Sequence, residues 1–117
     1  MHALLVLWDL TDSPATFEEL RDYLVERSIG RFEQMPGLRQ KTWISSPESR
    51  RWGALYLFET RDQAQAVIDH LPESPVVEIT GTLPTHELFD VEAVAEGQHS
   101  GVDLLTVGLA RRAMAAD

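Results

Sequence analysis

"WGALYLFET", residues 52–60, is predicted to be a β-strand that is apolar on both of its faces. Successive side chains of a strand point to opposite sides of its sheet. One side therefore carries Trp52, Ala54, Tyr56 and Phe58, and the other carries Gly53, Leu55, Leu57 and Glu59. Neither set suits contact with water, so other parts of the molecule have to cover both sides.

Three further stretches are predicted to be strands. Residues 3–10 form a short unbroken apolar run, which is typical of a buried strand. Residues 38–46 alternate in polarity and precede a turn at residues 47–51, so we expect a hairpin with the strand at residues 52–59. A fourth strand is predicted over residues 86–94.

Two helices are predicted from their capping signals and their apolar spacing. Ser13 is the expected N-terminal cap of the first helix, which continues for about 18 residues toward Pro36. Thr60 and Gln63 have the spacing of a capping box at the start of the second helix, which Pro72 ends.

The resulting order, β-α-β-β-α-β, is that of the ferredoxin-like α+β fold. Right-handed connections then give a four-stranded antiparallel sheet with two helices on one face and with the first and third strands at its centre. We expect residues 1–94 to form this domain. Residues 95–117 are expected to form a C-terminal tail, with a short helix that packs on a partner subunit.

The second face of the central strands predicts an oligomer. Each large apolar side chain contributes roughly 1.5–3 kcal/mol when it is buried. Exposing four to six of them would forfeit on the order of 10 kcal/mol, comparable to the stability of a whole domain. The simplest cover is a second copy, sheet against sheet, which gives a homodimer. The alternative is that the tail folds over this face within one chain.

Composition excludes several classes of partner. The 117 residues include 19 acidic and 10 basic side chains, for a net charge of −9, and no cysteine. This charge argues against nucleic acid and against an anionic membrane surface. The first apolar run is too short for a membrane span and lacks the basic flank of a signal peptide. A cytoplasmic protein is expected, and no side-chain spacing indicates a metal site.

Several sequence marks fall in a recognisable order: Pro36-Gly37, Lys41-x-Trp43, Gly53-x-x-Tyr56-Leu57-Phe58, His70 and Phe89-Asp90-Val91. Together they resemble the YdhR-like monooxygenases of the dimeric α/β barrel superfamily. The resemblance implies two ferredoxin-like subunits whose sheets pack into a barrel. It also implies oxidation of a small aromatic or phenolic compound with no cofactor, in a pocket between helices and sheet.

Candidate site residues follow from the chemistry that such a pocket requires. The candidates for acid–base work and anion stabilisation are Tyr56, His86 and Lys41. The candidates for substrate binding are Trp43, Trp52, Trp8, Phe58 and Arg39. Each also has a structural interpretation: the aromatic residues as core or interface, Lys41 as a solvated charge, and His86 as a structural residue.

Other functions use the same fold. A non-catalytic small-molecule-binding or dimerisation module, or an isomerase working by acid–base chemistry, is compatible with the residues. Haem degradation in this superfamily depends on an asparagine, and the chain has none. The RNA-recognition motif shares the topology, but Val6 occupies its expected aromatic position and the charge is unfavourable.

Overall fold

The sheet has four antiparallel strands in the order β2-β3-β1-β4. This computed structural model describes residues 1–99, 101, 104–105 and 107–111. The strands are β1 (His2–Asp9), β2 (Leu38–Ser46), β3 (Arg51–Phe58) and β4 (Thr85–Asp90). The predicted ferredoxin-like α+β topology is confirmed, with β1 and β3 at the centre.

Within residues 1–99, four α-helical segments lie beside the sheet. The first, α1 (Phe17–Tyr23), continues through a π-helical segment (Leu24–Ser28) into α2 (Ile29–Glu33). The longest is α3 (Arg61–His70), and a 3₁₀ turn (Leu71–Glu73) joins it to α4 (Pro75–Thr80). The sequence pattern did not assign a shape to this last connection.

The first helix begins later than predicted. Thr16, not Ser13, caps it, because Thr16 and Glu19 satisfy each other's backbone N–H groups in a capping box. The Ser13 hydroxyl instead donates a hydrogen bond of 2.6 Å to the backbone oxygen of Thr80. The predicted capping box of Thr60 and Gln63 is confirmed at the start of α3.

The helices cover one face of the sheet. Buried side chains of β1 and β3 all come from even-numbered positions: Leu4, Val6, Trp8, Trp52, Ala54, Tyr56 and Phe58. On the opposite face, Leu55 and Phe89 are each 45% exposed. The helices therefore cover one of the two apolar faces of the central strands, as the predicted topology required.

The register of β2 against β3, which is regular except for a β-bulge near Arg39, determines which side chains of β2 face the helices. Leu38 pairs with Phe58, but after the bulge Gln40 pairs with Leu57 and Lys41 with Tyr56. Cross-strand partners share a face of the sheet. The unbroken pairing from the hairpin turn therefore places the side chain of Lys41 on the helix-covered side, and the bulge brings Leu38 to the same side.

The tail is described in part. Residues 104–105 and 107–111 lie beside β2, where they border a second cavity of about 480 Å³. The predicted tail helix otherwise falls on residues 102–103, 106 and 112–117, outside the described part of the chain. None of the helices in the described part has the length and apolarity needed to cross a membrane.

Gly53 has no room for a side chain. A Cβ atom built there would lie 2.0 Å from the backbone oxygen of Val6, whereas one built at Gly30 would meet nothing within 4 Å. We predict that Gly53→Ala lowers the free energy of unfolding by about 1–3 kcal/mol, as other overpacked sites do. The matched variant Gly30→Ala, in α2, should raise it by about 0.5–1 kcal/mol. Urea unfolding of both variants is the measurement, and an unchanged stability for Gly53→Ala would contradict this packing.

Candidate functional site

A cavity of about 550 Å³ lies between the helices and the sheet. Six aromatic residues contribute to its walls: Trp8, Phe32, Trp43, Trp52, Tyr56 and Phe58. Exposed Arg31 and Glu73 also border it, so it opens to the surface beside them. Large apolar cavities with a few converging polar groups are the usual form of small-molecule sites.

Most of the predicted site residues meet in this cavity. Lys41, Trp43 and Tyr56 border it, and so do the remaining predicted aromatic walls, Trp8, Trp52 and Phe58. They come from three adjacent strands, whose register places these side chains on the helix-covered face. Residues that are far apart in the sequence therefore border the same cavity.

Two predicted residues lie elsewhere. Arg39 is at the bulge of β2, where its Nη1 atom lies 2.9 Å from Oε1 of Glu59 at the surface. His86 is exposed on the edge strand β4, opposite Val6. Neither residue is among those that border the cavity. Their predicted roles in substrate binding and acid–base chemistry stay predictions.

Lys41 is surrounded by aromatic rings. Its Nζ atom lies 3.3 Å from the ring centre of Phe32 and 4.5 Å from the ring centres of both Trp43 and Tyr56. A ring face attracts an ammonium group through its quadrupole. The rings hold the amine in the cavity, although the sequence alone allowed a solvated charge.

Burial lowers the pKa of Lys41 to about 6, and repulsion from the Arg31 guanidinium acts in the same direction. The three rings oppose this shift, because they stabilise the charged form. At neutral pH the amine is therefore mainly a neutral base that can accept a proton. Such a base, with a pKa near the working pH, suits general base catalysis.

Tyr56 supplies a hydroxyl group to the same cavity. Its side chain is 4% exposed and packs against Phe32 and Phe58, with ring centres 5.8 and 5.9 Å apart respectively. Burial raises the pKa of Tyr56, while the nearby Arg31 lowers it by a smaller amount. The hydroxyl therefore stays protonated at neutral pH and is available as a hydrogen-bond donor.

Two residues of α2 were missed at the sequence level. Phe32 belonged to the predicted apolar stripe of the first helix, but nothing in its spacing indicated that its ring would cover Lys41. Arg31 was not among the predicted site residues, yet it borders the cavity and influences the pKa values of both Lys41 and Tyr56. Both assignments depend on how a helix lies over β2 and β3, which short-range patterns do not encode.

The cavity therefore combines a base, a hydrogen-bond donor and flat apolar walls. This set can bind an aromatic ring, remove an acidic proton and stabilise the resulting anion. Across the described residues, no group of three or more His, Cys, Asp or Glu side chains is arranged to hold a metal ion.

Comparison with solved structures identifies similar folds. The monooxygenase from the gene ActVA-Orf6 of Streptomyces coelicolor, in complex with Nanaomycin D, has a TM-score of 0.59 at 14% identity, over 82% of this chain and 92% of that chain. SnoaB, a cofactor-independent oxygenase from Streptomyces nogalater, has a TM-score of 0.58 at 13% identity, over 80% of this chain and 94% of that chain.

A third similar structure holds a different ligand. MhuD, with two manganese protoporphyrin IX molecules bound per active site, has a TM-score of 0.57 at 15% identity, over 83% of this chain and all of that chain (100%). Identities this low show the fold alone. No curated protein is similar enough in sequence to count as a match.

The sequence itself matches one family. Residues 12–94 fit the family described as "Putative mono-oxygenase ydhR". This segment contains the first helix, the hairpin of β2 and β3, α3, α4 and β4. The match also confirms the resemblance seen in the sequence marks between Pro36 and Val91. Because it extends over most of the chain, the protein belongs to the YdhR mono-oxygenase family.

Proposed function

We propose that the protein is a cofactor-independent monooxygenase that oxidises a small phenolic or aromatic compound in the helix–sheet cavity. The observation that carries the proposal is the convergence of the Lys41 amine and the Tyr56 hydroxyl inside a cavity with aromatic walls. Membership of the YdhR family supports the reaction class. The similarity of the fold to that of SnoaB, a cofactor-independent oxygenase, supports a reaction that needs no bound redox group.

The substrate itself supplies the electrons in this reaction. Neutral Lys41 accepts the proton of the phenol, and the resulting phenolate is a far better electron donor than the neutral phenol. Dioxygen then inserts one atom into the substrate, forming a new C–O bond. The second oxygen atom leaves as water with two hydrogen atoms of the substrate, so a phenol becomes a quinone.

The protein has three tasks in this scheme. Lys41, once protonated, pairs with the phenolate that it has generated, and Tyr56 donates a hydrogen bond to the same oxygen. The tryptophan rings hold the aromatic plane of the substrate. Exclusion of water strengthens each of these electrostatic contacts.

Oxygen consumption tests the proposal against its alternatives. The protein is mixed with a panel of polyphenols, hydroquinones and anthrones in the presence of a metal chelator, and products are analysed after reaction with isotope-labelled dioxygen. We expect oxygen uptake and one labelled atom in the product. Isomerised product without oxygen uptake would indicate acid–base isomerase chemistry instead, and binding without reaction would indicate a binding module.

We further propose that the functional unit is a homodimer whose sheets face each other. The sheet face opposite the helices carries Leu5, Leu7, Leu55, Leu57 and Phe89. These residues form a contiguous apolar surface because they lie on adjacent strands in register. A second copy related by two-fold symmetry covers this surface with the same set of side chains.

The dimer proposal predicts the effect of one charge on that surface. Leu55→Asp places a carboxylate on the open face, so we expect monomers or a large loss of dimer affinity. Leu83→Asp is the matched control, because Leu83 is exposed in the loop before β4. Light scattering coupled to size-exclusion chromatography measures both variants. Equal masses for the two would contradict a sheet-to-sheet dimer.

Removal of the Tyr56 hydroxyl tests its role as a donor. We predict that Tyr56→Phe lowers kcat roughly 100-fold, as expected for loss of a donor to a developing anion. The ring packing is retained, so the free energy of unfolding should change by less than about 1 kcal/mol. Steady-state oxygen uptake and urea unfolding measure the two effects. Unchanged turnover would remove Tyr56 from the mechanism.

The lowered pKa of Lys41 predicts a pH dependence of stability. The unfolded chain holds a proton on this lysine up to the ordinary value of 10.5, whereas the folded chain releases it near pH 6. Between these values the unfolded state binds more protons, so stability rises with pH. From about pH 7 to about pH 9, the free energy of unfolding should increase by on the order of 2 kcal/mol relative to Lys41→Met. Parallel pH profiles of the two proteins would show that Lys41 is an ordinary solvated lysine.

A further inference from the structure

We propose that Arg31 is a specificity-determining residue that, together with Lys41, forms a two-cation site for an aromatic ligand with an ionised oxygen. The inference rests on the proposed function for the location of the ligand. It adds the charge of the bound species, the residue that selects it, and a proton uptake coupled to binding.

The two basic groups converge on one aromatic ring. Arg31 Cζ lies 5.3 Å from the ring centre of Phe32, and Lys41 Nζ lies 3.3 Å from the same point. The two residues come from different elements, α2 and β2, and both border the cavity. Because both groups lie near the same ring and border the same cavity, we place the anionic oxygen of a bound ligand between them.

Neither group has a carboxylate partner in the described part of the chain. The ion pairs found there join Arg39 to Glu59, His2 to Asp90 and His70 to Glu73. The cavity is bordered by one described carboxylate, Glu73, which is the partner of His70 at 3.3 Å. Lys41 and Arg31 therefore border the cavity without a carboxylate partner among the described residues, and a bound anion would complete the site.

Neighbouring charged and titratable residues determine how strongly Lys41 and Arg31 attract an anion. Lys41 shares each of two cavities with other titratable or charged residues. The main cavity also contains Tyr23, Tyr56, His70 and Glu73. The second cavity, beside β2, also contains Arg21 and Arg111. Arg31 also borders an outer groove that contains Glu19, Asp22 and Glu26, which partly offset its charge. On its cavity side Arg31 shares the lining with a base, aromatic rings and one described carboxylate, Glu73, which is the partner of His70.

Anion binding and protonation of Lys41 are coupled in this arrangement. In the empty cavity, desolvation and Arg31 keep the amine neutral at neutral pH. A negative oxygen between the two groups reverses the balance, because it attracts the ammonium form and screens the repulsion from Arg31. An ionised ligand therefore binds together with a proton from solvent, whereas a neutral phenol brings that proton itself.

Calorimetry with a non-oxidisable pair of ligands tests the inference. The probes are 2-naphthoate, an aromatic carboxylate, and 2-naphthamide, its neutral analogue of similar shape. We expect 2-naphthoate to bind more tightly by about tenfold or more. Near pH 8, titrations in buffers of different ionisation enthalpy should show uptake of about one proton per bound 2-naphthoate and none for 2-naphthamide.

Three variants assign the effect to residues. Arg31→Gln should abolish most of the preference for the anion, and Lys41→Met should abolish the proton uptake. The matched control is Arg27→Gln. Arg27 lies four residues before Arg31 and does not border the cavity, so this variant should behave as the wild type.

The outcomes separate this inference from the proposed function. Equal affinities for the two ligands, binding of neither, or an anion preference that survives in Arg31→Gln would overturn it. Oxygen uptake with polyphenols together with equal affinities would leave the oxidation intact and remove the two-cation site. Tighter binding of 2-naphthoate without oxygen uptake from polyphenols would support an anion-binding site in a protein that does not oxidise its ligand.

Discussion

The pairing of Lys41 with Tyr56 across β2 and β3 is the constraint on which the site depends. Side chains alternate along a strand, so a shift of one residue would move Lys41 to the face opposite the helices. The bulge near Arg39 absorbs the extra residue between the pairing at Leu38 and the pairing that continues from the hairpin turn. The register that begins at the hairpin turn thus places a basic group among aromatic rings, and the bulge keeps Leu38 on the same face.

The two faces of the central strands serve two purposes. The helix-covered face presents large aromatic side chains that leave a cavity beneath the helices instead of filling it. The opposite face is apolar and open, and we propose that it contacts a second copy. Gly53 shows how tightly β1 and β3 are joined, since no Cβ atom fits beside the backbone of Val6. A rigid central pair of strands keeps the site residues in position while the helices supply the cover.

Much of the fold could be predicted from the sequence because its signals are local. The capping box at Thr60 and the strand alternation around Tyr56 depend on neighbours within a few residues. The first cap was misplaced because Ser13 is itself a good capping residue, and its hydroxyl is used by the chain near Thr80. That competition is a tertiary contact, which a short window of sequence does not contain.

The site was predictable in part, for the same reason. Trp43 and Tyr56 could be found because they stand on strands whose inward face is determined by alternation. Arg31 could not, since its approach to Lys41 depends on how α2 lies over the sheet. His86 has the right chemistry, but β4 is an edge strand on the far side of β1 from the cavity. Residue type indicated the chemistry, and only the packing of elements determined which residues share a site.

The site depends on the Lys41 amine lying in a desolvated aromatic cavity. Titration of this amine is the most direct test. Nuclear magnetic resonance of isotope-labelled lysine side chains, assigned with Lys41→Met, follows the Cε resonance of Lys41 as pH is varied in the folded protein. We predict a midpoint near pH 6, with ring-current shifts from Phe32, Trp43 and Tyr56. A midpoint close to the ordinary value of 10.5, without such shifts, would contradict it.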